Sequence, residues 1–313
     1  MGIIKAICIS DKRGIQKRAV EKAVFDPLWG IAGDAHGGDW HRQVSLLSYD
    51  KVEAFKARGA EVGPGDFAEN MLVEGFDFRS LPVGSRFGSG SVILEMTQIG
   101  KECHTHCQIY QKMGECIMPT EGVFAIVVQG GEIHVGDELA LMAQDEGLKK
   151  LRAAILILSD KGSKGEREDK CGPLMKRMLE EEGYEAVETL IIPDEQKQIE
   201  EELIRFSDGR QVDLVLTSGG TGFSMRDVTP EATLAVAPRL VPGIAEAIRA
   251  YSMTITKRAM LGRGVAAIRG RTLIVNLPGS PKAVEESLGY ILPELEHGLE
   301  IMRGEAAECA RTD

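Results

Sequence analysis

The chain is poor in aromatic residues (5%), with two tryptophans and six cysteines among its 313 residues. So few cysteines cannot staple a chain of this length, which excludes a disulfide scaffold and fits a reducing compartment. Basic residues are also in deficit. The formal net charge is −11 and both halves share it, with 14 basic and 21 acidic residues up to Gly147, then 23 and 27. Neither half carries the Lys/Arg excess of a general nucleic-acid binder, so no nucleic-acid partner is expected. No apolar run approaches the ~20 residues that span a bilayer. The opening "MGIIKAICISDKRG" is broken by charge too early for a secretory signal. These absences point to a cytoplasmic protein with no membrane partner.

Length and rhythm predict two domains. Up to residue 145 the apolar runs are short and separated by glycine turns: "GIIKAICIS", "QVSLLS", "GSVILEMTQIG" and "GVFAIVVQGGEIHVGDEL". Helical signal there is limited to stretches such as "YDKVEAFKARG". That pattern predicts a β-rich, barrel-like domain over 1–145. A polar stretch, "AQDEGLKK", follows. Over 150–305, "AAILILSD", "YEAVETLIIPD", "VDLVLTSGG" and "RTLIVNLPG" alternate with amphipathic segments such as "CGPLMKRMLEEEG" and "EQKQIEEELIRFSD". Such alternation predicts an α/β domain, a parallel sheet with helices on both faces.

In open α/β sheets ligands collect beyond the carboxyl ends of the strands, and four such ends here carry polar residues. "LSDKGSKGEREDKCGP" places Asp160, Ser163 and Asp169 before a helix. "IIPDEQ" places Asp194 at a helix start, where it could serve as N-cap or as ligand. "TSGGTGFSMRDVTPEAT" offers the amides of Gly219, Gly220, Thr221 and Gly222 as an anion nest, followed by Arg226 and Asp227. Its Thr229-Pro230-Glu231 reads as an N-cap followed by proline at the first helical position. "VNLPGSP" adds Asn276, Gly279 and Ser280. Asp194 and Asp227 would repel phosphate directly, yet they can hold Mg²⁺ between carboxylate and phosphate oxygens. Arg226 and Lys282 would offset phosphate charge. The set points to phosphate-bearing ligands and metal-assisted phosphoryl or nucleotidyl transfer. The glycine turn is neither a Walker loop nor a dinucleotide fingerprint.

Together these four stretches, in their order and spacing, resemble the Mog/MoaB family of molybdenum cofactor biosynthesis, and within it the molybdopterin adenylyltransferases. The resemblance implies ATP and molybdopterin as substrates and Mg²⁺ as cofactor, giving adenylylated molybdopterin and pyrophosphate. It implies that Asp194 and Asp227 are the catalytic, Mg²⁺-holding acids. Gly219, Gly220, Thr221 and Gly222 would cradle the pterin's terminal phosphate, with Asp160, Ser163, Asp169, Arg226, Asn276, Gly279 and Ser280 around the substrates. It further implies a homotrimer and, as protein partner, a molybdate-insertion enzyme or a molybdoenzyme. A non-catalytic cofactor carrier and a molybdate-insertion domain are the alternatives.

"GDAHGGDWHRQVSLLS", "GPGDFAENMLVEGFDFRSLPVGSRF" and "GEIHVGDEL" resemble the MOSC domain, related to the C-terminal part of molybdenum cofactor sulfurases. His36 and Arg42 match polar positions of that pattern, with turn and core roles as the alternative. The family's sulfur-carrying cysteine falls nearest Cys103 in "GKECHTHCQIYQKMGEC", where Lys101, His104 or His106 would favour a thiolate. Glu102 stands where many relatives have proline and opposes that effect. Cys107 and Cys116 are competing thiols. Cys103, His106, Cys107 and Cys116 could instead bind a metal, though not at zinc-finger spacing, or be buried and reduced. Cys8, Cys171 and Cys309 are expected to be uninvolved. The resemblance implies that this domain binds or delivers cofactor or sulfur.

Overall fold

The computed structural model describes residues 1–101, 108–143 and 150–303. Contacts divide the chain into two units, Met1–Glu146 and Gly147–Asp313. In the first, short alternating runs make strands β1 (Gly2–Ile9), β2 (Arg18–Val20), β3 (Lys22–Asp26), β4 (Gly30–Ile31) and β5 (Val44–Ser48). Helix α1 (Tyr49–Ala57) leads to β6 (Met71–Glu74), β7 (Arg86–Ser89) and β8 (Val92–Ile99). Helices α2 (Gln108–Met113) and α3 (Met118–Glu121) precede β9 (Val123–Gln129), β10 (Gly131–His134) and β11 (Glu138–Leu141).

The strand order β11-β7-β8-β9-β5-β6-β1 returns on itself because β1 also pairs with β11, so seven strands close into a barrel. Closure satisfies every edge, which suits strands this short. Only β5 and β6 in this ring run parallel, with α1 connecting them. The interior is filled by Ile4, Leu46, Met71, Phe87, Leu94, Val123 and Leu139. Phe76, Phe78 and Phe87 pack there with ring centroids 5.3 to 5.6 Å apart. The β-rich, barrel-like expectation is met. The small strands β2, β3, β4 and β7 were not foreseen, because two to five residues hold too little periodicity to read.

Glu69 is fully buried beside this barrel and accepts the N–H groups of Gly65 and Phe67 at 2.5 and 3.1 Å. Burial pushes its carboxyl up to about 7. A raised carboxyl means that the fold disfavours the ionised form. Its stabilising effect is therefore present at pH 5, falls as pH rises toward 7, and is flat above. Trp29 and Trp40, the chain's two tryptophans, both lie in this unit, so their fluorescence during urea unfolding reports it alone. Between pH 5 and 7.5 the wild type should lose on the order of 2 kcal/mol more than Glu69→Gln. Equal pH slopes for the two proteins would remove Glu69 as the cause.

The second unit has strands β12 (Arg152–Leu158), β13 (Glu185–Ile192), β14 (Leu214–Ser218), β15 (Arg239–Leu240), β16 (Ala266–Arg269) and β17 (Thr272–Leu277). Its helices are α4 (Cys171–Glu181), α5 (Gln196–Ile204), α6 (Thr229–Val236), α7 (Pro242–Ile255) and α8 (Pro281–Arg303). The sheet runs β13-β12-β14-β17-β16-β15. One face is covered by α4, α7 and α8 through Met175, Ile248 and Leu288, and the other by α5 and α6 through Leu203 and Ala232. The first four strands are parallel, as expected; β16 runs antiparallel to β17, and β15 antiparallel to β16. The reversal comes from the two-residue turn Gly270-Arg271, where Gly270 takes φ +56°; a tight hairpin of this kind needs that left-handed backbone. Among the described residues no helix is long and apolar enough to cross a membrane.

Candidate active site

Because β13, β12, β14 and β17 are adjacent and parallel, their carboxyl ends open on one edge of the sheet. The loops beginning at Ser159, Pro193, Gly219 and Pro278 therefore meet there. The glycine turn after β14 is demanded by its neighbours. Gly219 has φ +110°, and a Cβ there would stand 2.3 Å from the Leu158 carbonyl oxygen. Gly220 has φ +61°, and a Cβ there would stand 2.3 Å from Thr229 Oγ1 and 3.0 Å from Asp194 Oδ1. A Cβ on Gly222 would meet Asp227 Oδ2 at 2.8 Å. Asp194 and Asp227 thus lie against the same turn, two residues apart along it.

Thr229 does not cap α6. Its hydroxyl donates to the Gly219 carbonyl at 3.0 Å, and Val228 occupies the cap position without a side-chain bond. Asp194 does not cap α5 either, since that position is Glu195. Instead the Asp160 N–H donates to Asp194 Oδ2 at 3.1 Å and the Asp194 N–H donates to Asp160 Oδ1 at 3.2 Å, a reciprocal pair tying the ends of β12 and β13. Burial, with the charges of Asp160 and Asp227 adding to it, pushes the Asp194 carboxyl above its ordinary value.

Arg226 is engaged by protein. Its Nε and Nη2 fork onto the Asp160 carboxylate at 3.1 and 2.7 Å, and its Nη1 donates to Glu195 Oε1 at 2.8 Å. That fork holds the Asp160 carboxyl below its usual range. Asp227 Oδ2 accepts the Ser224 N–H at 2.9 Å. Asp169 accepts the Cys171 and Gly172 N–H groups at 2.9 and 3.0 Å, satisfying the first turn of α4. Ser280 does the same for α8 through the Ala283 N–H at 3.3 Å. The Ser163 hydroxyl donates to the Asp160 carbonyl. Lys282 is exposed and lies 3.8 Å from Glu286.

A cavity of about 500 Å³ opens on the turn. Of the residues singled out in the sequence, Gly220, Thr221, Gly222, Asp227, Asn276 and Gly279 line it. Asp160, Ser163, Asp169, Asp194, Gly219, Arg226 and Ser280 do not, and Asp194 adjoins it through Gly220. Sequence reading missed the opposite wall, which comes from α7, the segment 256–264 and the start of α8. Ala245, Ile248, Arg249 and Ser252 share one face of α7 at three- and four-residue spacing, a signal that was available. Arg249 donates to the Gly264 carbonyl at 2.9 Å, and Arg258 adds a second cation to this wall. Arg263 binds the turn from behind, donating to the carbonyls of Gly222 and Asp227 and to Glu231.

In the first unit, His36 Nδ1 stands 3.7 Å from Asp34 Oδ1. Arg42 donates to Gln98 Oε1 at 3.1 Å and lies over the Phe124 ring. Cys103, with His104, His106 and Cys107, lies outside the described residues, as does Cys309. Cys116 packs against the apolar cluster around Val52 and Phe55. Cys8 and Cys171 are buried.

Comparison with known proteins accords with this layout. The family described as probable molybdopterin binding domain matches residues 154–297, and the MOSC domain family matches residues 32–140. Molybdopterin adenylyltransferase of Helicobacter pylori is 38% identical over 159 residues, which cover 50% of this chain and 90% of that protein. The protein of the same name from Escherichia coli K12 is 44% identical over 144 residues, 45% of this chain and 73% of its own length. A crystal structure of the molybdopterin biosynthesis enzyme MoaB from Thermus thermophilus is 44% identical, covering 50% of this chain and 99% of that one with a TM-score of 0.48. The chain therefore belongs to the molybdopterin-binding family of molybdenum cofactor biosynthesis through its C-terminal half, and carries a MOSC domain ahead of it.

Proposed function

We propose that residues 150–305 catalyse Mg-ATP-dependent adenylylation of molybdopterin. The observation that carries this reading is the placement of Asp194 and Asp227 against one closely packed glycine turn, with the Asp194 carboxyl pushed up by burial and by neighbouring acids. Such crowding suits a divalent cation. Among the described residues no three metal-binding side chains gather to hold an ion alone. Two carboxylates completed by substrate phosphates are, however, the usual Mg²⁺ arrangement. Mg²⁺ there would neutralise phosphate charge.

In the proposed step a terminal phosphate oxygen of molybdopterin attacks the α-phosphorus of ATP. The bond from that phosphorus to the bridging oxygen breaks, and pyrophosphate leaves with the electron pair. The nucleophile is already anionic, so placement and charge neutralisation supply most of the rate. The turn Gly219–Gly222 cradles the phosphate, and Arg249 and Arg258 balance charge from the facing wall. Arg226 is bound to Asp160 and Glu195, so we assign it to holding Asp194 in place and not to phosphate. The MOSC domain would bind or deliver cofactor or sulfur, with Cys103 as its thiol, and the assembly would be a homotrimer.

Mass spectrometry of the full chain incubated with molybdopterin and Mg-ATP tests the reaction. An AMP-bearing pterin with stoichiometric pyrophosphate is the expected product. Pterin retained unmodified, without pyrophosphate release, would establish the carrier alternative in its place.

A further inference from the structure

The glycine turn after β14 runs into a loop, residues 222–227, whose two ends are held by one side chain. Arg263 Nε donates to the Gly222 carbonyl at 2.6 Å, and its Nη2 donates to the Asp227 carbonyl. Its Nη1 donates to Glu231 Oε1, so every nitrogen of the guanidinium has a partner. The main-chain N–H of the same residue donates to the Thr221 carbonyl at 3.0 Å. Arg263 therefore takes the carbonyl oxygens of residues 221, 222 and 227, and its side chain is 32% exposed.

In a planar trans peptide the C=O and the N–H point in opposite directions. With the Thr221 and Gly222 carbonyls facing Arg263, the N–H groups of Gly222 and Phe223 are turned away from it. Among the described residues neither N–H has an acceptor. Gly220, Thr221 and Gly222 line the cavity, whereas Arg263 does not. Successive N–H groups turned to one side make a concave anion site. A cation on the carbonyl side also polarises those peptides, which makes their N–H groups stronger donors. We infer that Arg263 is a positioning residue: its fork fixes the peptide planes so that the turn presents N–H groups to a phosphate, and it holds Asp227 at the far end of the same loop. A lysine there would keep the charge but could not span two carbonyls as the planar fork does. The identity of the phosphate rests on the function proposed above; the orientation of the peptides rests on the carbonyl bonds.

Titration calorimetry of a pterin monophosphate into the full chain compares wild type with Arg263→Ala and Arg263→Lys, alone and in millimolar guanidinium or ammonium chloride. Arg263→Ala should weaken binding about 10- to 100-fold, the loss expected when charge-assisted hydrogen bonds no longer organise the site. Guanidinium should restore part of that affinity, because the place of the lost side chain is open to solvent, and ammonium should not. Arg263→Lys should fall close to the alanine variant, and it carries the test alone if the alanine variant does not fold. Affinity unchanged in either variant would overturn the inference. So would a loss in Arg263→Ala that guanidinium leaves unrepaired, the mark of a general structural role, or one that ammonium repairs equally, the mark of bare charge. In the reaction, KM for the pterin should rise and kcat should fall, since the same guanidinium holds Asp227. If wild type binds the pterin monophosphate through Arg263 yet makes no adenylylated pterin, the inference survives and the proposed reaction does not. If it makes product while both variants keep the wild-type KM for the pterin, the reaction survives and the inference does not. A wild type that binds no pterin monophosphate would overturn both.

Discussion

Asp227→Asn is expected to lower the rate of adenylyl transfer about 10²–10³-fold, the range typical of removing one preorganised charge-stabilising group. Asp194→Asn should lower it comparably. The two variants should differ in stability. The Asp194 carboxyl lies above its ordinary value because burial, Asp160 and Asp227 disfavour the charged form. Its ionisation therefore opposes folding at neutral pH, and this opposition disappears as pH falls below the folded-state value. Asparagine removes the charge and keeps an oxygen for the Asp160 N–H, which now reaches Asp194 Oδ2 at 3.1 Å. Asp194→Asn should thus melt higher than wild type at pH 7.5, with the gap closing toward pH 4. Greater stability with lost activity is the mark of a site strained for function. Pyrophosphate release and thermal melting of the same preparations check both parts. Either variant retaining within about threefold of the wild-type rate would remove that acid from the chemistry.

The α/β architecture was readable because each buried parallel strand is a continuous apolar run followed by a glycine or aspartate loop, as in "VDLVLTSGG". The rule that ligands gather at strand ends then pointed to the candidate site. Three features escaped for physical reasons. Arg226 looked like a phosphate ligand, yet its fork onto Asp160 depends on two loops that only the fold brings together. The cation-bearing wall of α7 follows a proline start and has a regular apolar face, but nothing local says which ligand it faces. Arg263 sits between two glycines, where nothing local says that its guanidinium reaches the carbonyls of Gly222 and Asp227. In the barrel the long strands β1, β8 and β9 were legible. A barrel was expected from the run of short strands, but the pair that closes it could not be named, because it depends on Gly2 and Ile3 meeting Leu139 and Glu138 across the whole domain.

Asp34→Ala should destabilise the first unit by about 3–5 kcal/mol, the range for removing one partner of a buried ion pair. Lys17 Nζ stands 2.8 Å from Asp34 Oδ2, and the two side chains are 1% and 0% exposed. The same oxygen accepts Asn70 Nδ2 at 2.9 Å, and the other accepts the Ser10 N–H at 2.9 Å. One carboxylate therefore joins the exit of β1, the loop before β5 and the entry to β6. Its loss strands an ammonium, an amide and a backbone N–H together, and none of them is near enough to water to recover. The Trp29 indole N–H donates to the Asp34 carbonyl at 3.3 Å, so tryptophan fluorescence in urea follows the affected region directly. Replacing both partners separates buried charge from lost contact. Lys17→Met with Asp34→Leu should recover most of the loss, because apolar residues of similar volume carry no desolvation penalty. A loss below about 1 kcal/mol in Asp34→Ala would mean that the Lys17 ammonium escapes to solvent. Failure of the double variant to recover would shift the weight to the hydrogen bonds of Asn70 and Ser10, which Asp34→Asn retains in part.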